Sequence, residues 1–374
     1  MSAQTKPRHN SLTPLEARLK ERIARDGPIR VHDYMKACLG DRRSGYYPTH
    51  QPIGRKGDFI TAPEISQMFG ELIGVWAASV WQAMGAPSSI TIAELGPGRG
   101  TLMADALRVF RTVPKLAESL TTALIETSPV LREAQRETLS ASPAPLRWFE
   151  SIEEVPQGSL ILIANEFVDA LPIRQFVRAG GIWRERAVSI GSDGAFAFCA
   201  GDPAGADDLP GALRTIAAEE GAIVETRPAA TALVETLDAR ARQAPLAALL
   251  VDYGHAKSGL GDTLQAVRHH RFADPLVAPG EADLTAHVDF AALREAAIPL
   301  GLAPYGPMPQ GEFLLKLGLA ARLERLVRAA TADQKEALLS GAARLADPRQ
   351  MGVLFKVLAL QSSGLAPPPP FGDI

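Results

Sequence analysis

The feature that most constrains this chain is a glycine-punctuated turn. Residues Ile90–Leu95 form a short, largely apolar run, and the sequence then passes through Glu94-Leu-Gly96-Pro-Gly98-Arg-Gly100-Thr101 into Leu102–Phe110, a segment that fits a helix. Glycines at such a turn let the backbone approach a ligand closely. The same unit recurs downstream. Thr122–Glu126 predicts a second strand, Val130–Leu139 a second helix, and Leu146–Phe149 a third strand. Leu160–Ala164 is apolar at every position and predicts a central strand covered on both faces. Alternation of this kind implies an α/β fold built on a mostly parallel sheet. Ala247–Asp252 predicts a fifth strand and Gly352–Leu360 a closing one, with helices at Ala229–Arg242, Phe290–Ala297 and Phe313–Ala330.

The N-terminal part reads differently. Leu12, Leu15, Leu19 and Ile23 lie on one helical face, which Gly27-Pro28 terminates, and a short helix fits Asp33–Leu39. A Gly/Pro-rich loop, Ser44 to Asp58, follows. Thr61-Ala-Pro-Glu64 then reads as a capping box opening a long helix with Ile65, Met68, Phe69, Leu72, Trp76 and Val80 as its buried stripe. Between strands, Phe176 to Trp183 predicts a β-hairpin around Gly180-Gly181. The stretch to about Pro210 reads as loop, and Pro367–Pro370 as a polyproline stub.

Composition excludes several classes. Lys plus Arg number 39 against 42 Asp plus Glu, a net charge of −3, which argues against a nucleic-acid grip through a basic face. Two cysteines, Cys38 and Cys199, leave no disulfide scaffold and suit a reducing compartment. No apolar run reaches the roughly 18 residues of a membrane span. Met1–Pro14 lacks the apolar core of a secretory signal and does not read as a transit peptide, so the expected location is a bacterial cytoplasm. The histidines His255, His269, His270 and His287 show no metal-ligand spacing, and no metal is expected.

The glycine turn is G-x-G-x-G with Glu94 two places before it, and Pro97 removes an N–H that a phosphate would want. A carboxylate at that place repels phosphate and suits a cation. S-adenosylmethionine carries an α-ammonium and a sulfonium, so Glu94 fits its methionine end. Glu126, at the end of the second strand, can accept both ribose hydroxyls. Strand, E-x-G-x-G-x-G, helix, strand, Glu resembles the class I S-adenosylmethionine-dependent methyltransferases. That resemblance implies a Rossmann-like, mostly parallel seven-stranded sheet.

Longer motifs make the resemblance specific. Gly57-Asp-Phe-Ile-Thr-Ala-Pro-Glu-Ile-Ser-Gln-Met-Phe-Gly-Glu71, Glu94–Gly100, Asn165-Glu-Phe-Val-Asp-Ala-Leu-Pro172, Asp252-Tyr-Gly-His255, His269-His270, Asp283-Leu-Thr-Ala-His-Val-Asp289 and Gln310-Gly311 together resemble the MidA family. These are arginine methyltransferases known in mitochondria as complex I assembly factor 7. The resemblance covers about Gly45 to Leu360. It implies symmetric dimethylation of an arginine on the quinone-site (49-kDa-type) subunit of respiratory complex I, and a mitochondrial matrix location for eukaryotic relatives. It also implies a lid near the cofactor, for which Asp58, Thr61 and Glu64 are the candidate contacts. Three units are expected: 1–88 with the lid, 89–172 plus 245–374 as the cofactor-binding core, and an insertion at 173–244 for partner recognition.

An arginine nucleophile sets a chemical requirement. Guanidinium stays protonated and is repelled by a sulfonium, so the site needs carboxylates that pair with it and orient a lone pair. Asn165-Glu166-Phe167-Val168-Asp169 follows the fourth strand, where open α/β sheets bind ligands. Glu166 is the candidate main clamp and Asp169 the second, with Asn165 facing substrate or the methionine moiety. The structural alternative has Asn165 and Asp169 capping a short helix before Pro172. Tyr46 and Tyr47 line the entrance or pack inside, and His255 faces the pocket or bonds within its loop. A small-molecule methyltransferase and a non-catalytic cofactor-binding assembly factor are the other functional readings. The oligomeric state, homodimer included, is left open.

Overall fold

The computed structural model describes residues 12–50, 60–142, 144–214 and 216–372. Seven strands form the main sheet: β1 (Ile90–Leu95), β2 (Leu120–Ile125), β3 (Leu146–Phe149), β4 (Leu160–Asn165), β5 (Leu246–His255), β6 (Leu302–Pro309) and β7 (Phe355–Ser362). Their order across the sheet is β6-β7-β5-β4-β1-β2-β3. The pairs among β1 to β5 are parallel, and β7 runs antiparallel to both β5 and β6. A short strand, Val288–Asp289, pairs with the end of β5.

β4 lies in the middle of this sheet because both of its faces can be buried. Ile161 and Ile163 join Ala247, Leu249 and Val251 of β5 in a core that holds Phe69, Trp76, Phe110 and Phe313. Leu160, Leu162 and Ala164 join Leu246, Ala248 and Leu250 in the core of the opposite face, with Val234, Leu237 and Phe290. Successive residues of a strand point to opposite faces, so an unbroken apolar run serves two cores at once. Each large side chain so buried contributes about 1.5–3 kcal/mol.

The N-terminal segment and the stretch after β4 share one layer. Ile29–Arg30, Arg174–Ala179, Ile182–Ile190, Phe196–Pro203 and Ile223–Thr226 form a five-stranded antiparallel sheet, with Ile29 paired to Val188. Helices Pro14–Asp26 and Val31–Gly40 cover it through Leu15, Leu19, Ile23, Tyr34 and Met35. Leu12, assigned above to the same helical face, precedes the helix and is exposed.

Several expectations need correction. The stretch before Pro210 is not all loop: Phe196–Pro203 is a strand, held by six partners from Ile182–Ile190 rather than by its own Gly/Ala-rich composition. The long helix from Thr61 is two helices, because Ser66 is extended and its hydroxyl caps Gln67–Ala83. The helix over Phe313–Ala330 breaks at Gly318, whose φ of 102° is left-handed, into Gln310–Lys316 and Leu319–Ala329. β7 begins only at Phe355, after a helical turn at Met351–Leu354. The proline tail makes a turn that seats Phe371 against Phe313.

Helices Gln67–Ala83 and Thr101–Phe110 approach closely at two glycines. A Cβ on Gly74 would lie 2.9 Å from Ala106 Cα, and one on Gly70 2.6 Å from Asp105 Cβ. Gly74→Val should therefore destabilise the protein by about 1–3 kcal/mol through overpacking. Val75→Ala, on the exposed side of the same helix, should stay within about 0.5 kcal/mol. Denaturant unfolding of both variants checks this; equal midpoints would show that the interface tolerates a side chain.

Candidate active site

Strand register builds the site. Glu94 and Leu95 of β1 lie beside Ile163 and Ala164 of β4, and Asn165 lies beside Val251 of β5. The carboxyl ends of β1 and β4 thus stop together at the point where the strand order reverses, the ligand-binding crevice of open α/β sheets, while β5 runs on to His255 beside them. A cleft of about 1520 Å³ opens there.

The glycine turn forms one wall. Gly96, Gly98 and Gly100 have φ of 58°, 54° and 83°, conformations that side-chain-bearing residues adopt only with strain. A Cβ on Gly96 would meet the Phe167 ring at 2.8 Å. Gln135 ties this turn to the second strand, because its amide donates to Gly98 O at 2.8 Å and to Glu126 Oε2 at 3.3 Å. The Glu126 Oε1 accepts from Ser128 N–H. Glu126 sits just beyond β2 rather than within it.

Glu94 lines the cleft, is 3% exposed, and has no hydrogen-bond partner for Oε2 among the described residues. Burial pushes its pKa up to about 8. Asn165 Oδ1 and Asp169 Oδ1 are also buried at the cleft without partners among the described residues.

Glu166 has a left-handed backbone, φ 49°, unusual for a residue with a side chain. Its Oε1 accepts from the Ala62 N–H at 2.9 Å and from the Asn165 amide at 3.3 Å. Burial raises its pKa to about 7. Asp169 is held by a residue not singled out above as a site residue. Asp252, 1% exposed, accepts the Val168 and Asp169 N–H groups at 3.0 and 3.1 Å through Oδ2, and its own neighbour Tyr253 N–H through Oδ1. Burial raises both aspartates, and the Tyr253 hydroxyl lowers Asp169 in part. The Arg227 guanidinium beneath the loop donates to the carbonyls of Leu171, Ala286, His287 and Asp169. The acidic end of an apolar strand was the available signal for Asp252; Gln135 and Arg227 carried none.

The lid contacts differ from the capping box expected above. Thr61 precedes the helical turn Ala62–Ile65, but its side chain makes no capping bond. Glu64 instead accepts from the Thr101 hydroxyl, with Arg99 at 3.9 Å. Both Thr61 and Glu64 line the cleft. Asp58 lies outside the described residues. Tyr46 is buried, whereas Tyr47 lines the cleft. His255 does not: it faces Asp289 at 3.7 Å and a separate, smaller cavity.

Residues 72–308 match the family model of S-adenosyl-L-methionine-dependent methyltransferases. The chain belongs to that family. Its cofactor is S-adenosylmethionine. This methyltransferase is 37% identical to a Drosophila melanogaster protein named protein arginine methyltransferase NDUFAF7 homolog, mitochondrial, over 98% of this chain and 88% of that one. It is 36% identical to human protein arginine methyltransferase NDUFAF7, mitochondrial, over 96% and 86%. A crystal structure from Burkholderia thailandensis bound to S-adenosyl-homocysteine superposes with a TM-score of 0.83 at 33% identity, covering 94% of this chain and 92% of that one. Among the described residues, no helix is long and apolar enough to cross a membrane. The cleft's chemistry fits the cofactor: the buried acceptors Glu94 Oε2 and Asn165 Oδ1, without partners among the described residues, suit an ammonium and a sulfonium, and would oppose a phosphate.

Glu94 gives the methyltransferase a defined pH dependence. Its folded pKa of about 8 exceeds the ordinary 4.5, so the folded state holds the proton more tightly. The stability this provides is complete below pH 4.5 and is lost as pH rises through 8. Between about pH 5 and 8, thermal unfolding of the ligand-free wild type should therefore lose more than that of Glu94→Gln. Parallel curves for the two proteins would contradict the assignment.

Proposed function

We propose that this methyltransferase transfers methyl groups to an arginine of a protein, and that the protein is the quinone-site (49-kDa-type) subunit of respiratory complex I. The observation that carries the reading is the pair of cleft-lining carboxylates, half-buried Glu166 and buried Asp169, at the end of the central strand β4. The names of the relatives support the same substrate class. The cleft also exceeds the roughly 300–1,000 Å³ of a small-molecule site, which leaves room for a substrate side chain beside the cofactor.

S-adenosylmethionine supplies the methyl group as an activated sulfonium. Glu94 would face its ammonium, the Gly96–Gly100 backbone would follow its methionine end, and Glu126 would accept its ribose hydroxyls. Thr61 and Glu64, and Asp58 from outside the described residues, would close over it. Glu166 and Asp169 would pair with the guanidinium in fork geometry and fix the nitrogen that attacks, with Asn165 orienting Glu166 through its amide. A carboxyl group near pKa 7 is matched to take up the proton the guanidinium gives away, and Glu166 is that group. The two cysteines are free thiols, which suits a reducing, cytoplasmic compartment.

The test is transfer of labelled methyl from S-adenosylmethionine to the purified subunit, with the site located by mass spectrometry. Wild type should label one arginine as symmetric dimethylarginine. Glu166→Gln should lose about 100-fold or more of the rate while calorimetry shows cofactor affinity retained. Label on a small molecule only would favour that alternative. Cofactor binding with no transfer to any arginine would leave a non-catalytic assembly factor.

A further inference from the structure

The mouth of the cleft differs from its acidic floor. Gln265–Arg268 and Arg271–Ala273 form an antiparallel hairpin, in a small three-stranded sheet with Asp283–Thr285. Its two-residue turn, His269-His270, has φ of 51° and 59°, the left-handed backbone that a tight hairpin uses. The turn sets a register in which Phe272 pairs with Val267, and paired residues share a face. Both line the cleft. Phe272 is 81% exposed, the most exposed large apolar side chain among the described residues. Leu354, also exposed, lines the same cleft. Exposed apolar side chains on the rim of a cleft are a feature of surfaces that a partner covers.

Charge is divided along that rim. Glu150 and Glu153, exposed acids lining the cleft, follow β3 beside Glu126, whose N–H donates to the Phe149 carbonyl. The exposed lining cations are Arg99, 3.9 Å from Glu64, and Lys36 and Arg42, which have no ion pair among the described residues. Lys36 lies on the helix Val31–Gly40. Tyr34 of that helix donates its hydroxyl to the Pro275 carbonyl at 2.8 Å, three residues beyond Phe272. Arg42 lies in a turn that Asp41 closes by accepting the Arg43 and Ser44 N–H groups, and Asp41 is already paired with Arg18 at 2.8 Å. Asp274, beyond Phe272 in the chain, accepts the Leu276 N–H. On this side of the mouth the cations stay open to a partner, while these neighbouring acids are engaged.

We infer that Phe272, Lys36 and Arg42 form a docking surface for the protein substrate, which takes an acidic segment with an apolar side chain next to the target arginine. This rests on the arginine reading of the cleft and deepens it. The apolar neighbour covers Phe272, the flanking carboxylates meet Lys36 and Arg42, and the guanidinium passes inward to Glu166 and Asp169. A bilayer seated on the same rim would seal the entrance, so a polypeptide that sends one side chain inward is the occupant that fits. Rim charges act mainly on encounter and its salt dependence, and a covered aromatic on retention.

The test is peptide binding to the full chain saturated with S-adenosylhomocysteine, read by fluorescence anisotropy. One labelled peptide carries a single arginine, a leucine beside it and flanking glutamates; its counterparts carry lysines for the glutamates, or serine for the leucine. Wild type should bind the first at least about tenfold more tightly than either counterpart. Phe272→Ala should erase the preference for leucine, and the double variant Lys36→Glu/Arg42→Glu the preference for glutamates together with the salt dependence of binding. Phe272→Ala should also raise KM for the quinone-site subunit by about tenfold with a smaller change in kcat. Affinity for S-adenosylhomocysteine should match wild type in every variant; a loss there as large as the loss of peptide would place these residues at the cofactor and overturn the inference. Equal binding of the three peptides by wild type, or unchanged preferences in the variants, would overturn it too. So would binding to anionic phospholipid vesicles, or a homodimer in ultracentrifugation, that Phe272→Ala abolishes while peptide binding stays intact. Peptide preferences as expected in a protein that methylates no arginine would uphold the docking surface and refute the underlying reading instead.

Discussion

The site depends on one buried carboxylate. Asp252, within strand β5, turns both of its oxygens to backbone N–H groups, two of them in the loop that follows β4. Those bonds fix the path of Val168 and Asp169, and the Arg227 guanidinium braces the same loop through the Asp169 and Leu171 carbonyls while also binding those of Ala286 and His287. A carboxyl at this depth is tolerated only because it is bonded; removing one partner of such a set leaves the rest unsatisfied. With the loop held, Glu166 can be kept in a left-handed conformation that an unsupported residue would leave. Strain in the chain and order in the site have the same origin.

The same arrangement joins the two halves of the cleft. Glu166 accepts from Ala62, and Glu64 accepts from Thr101, so the segment over the cleft is tied both to the end of β4 and to the helix behind the glycine turn. Any ligand group that competes for Glu166 also acts on the covering segment. The covering segment and the end of β4 are thereby linked through a single carboxylate.

Much of this was legible in the sequence because local rules and the fold agree. Leu160–Ala164 reads as a central strand because both faces are buried, and the three glycines read as a ligand turn because each takes a left-handed φ. What was illegible depends on remote partners. β6 carries Pro304, Pro307 and Pro309, a pattern that argues against a strand, yet it pairs at the sheet edge where proline is tolerated. Thr61–Glu64 satisfied a local capping rule, but Glu64 bonds a hydroxyl thirty-seven positions away instead. Gln135 and Arg227 had no local signature at all: each matters through what the fold brings beside it.

The most direct test of the account is a crystal structure of the protein with S-adenosylhomocysteine and an arginine-bearing peptide. The account predicts the homocysteine end beside Glu94 and the Gly96–Gly100 turn, with the peptide guanidinium within hydrogen-bond reach of both Glu166 and Asp169. A guanidinium bound elsewhere, with Glu166 still bonded only to Ala62 and Asn165, would contradict it.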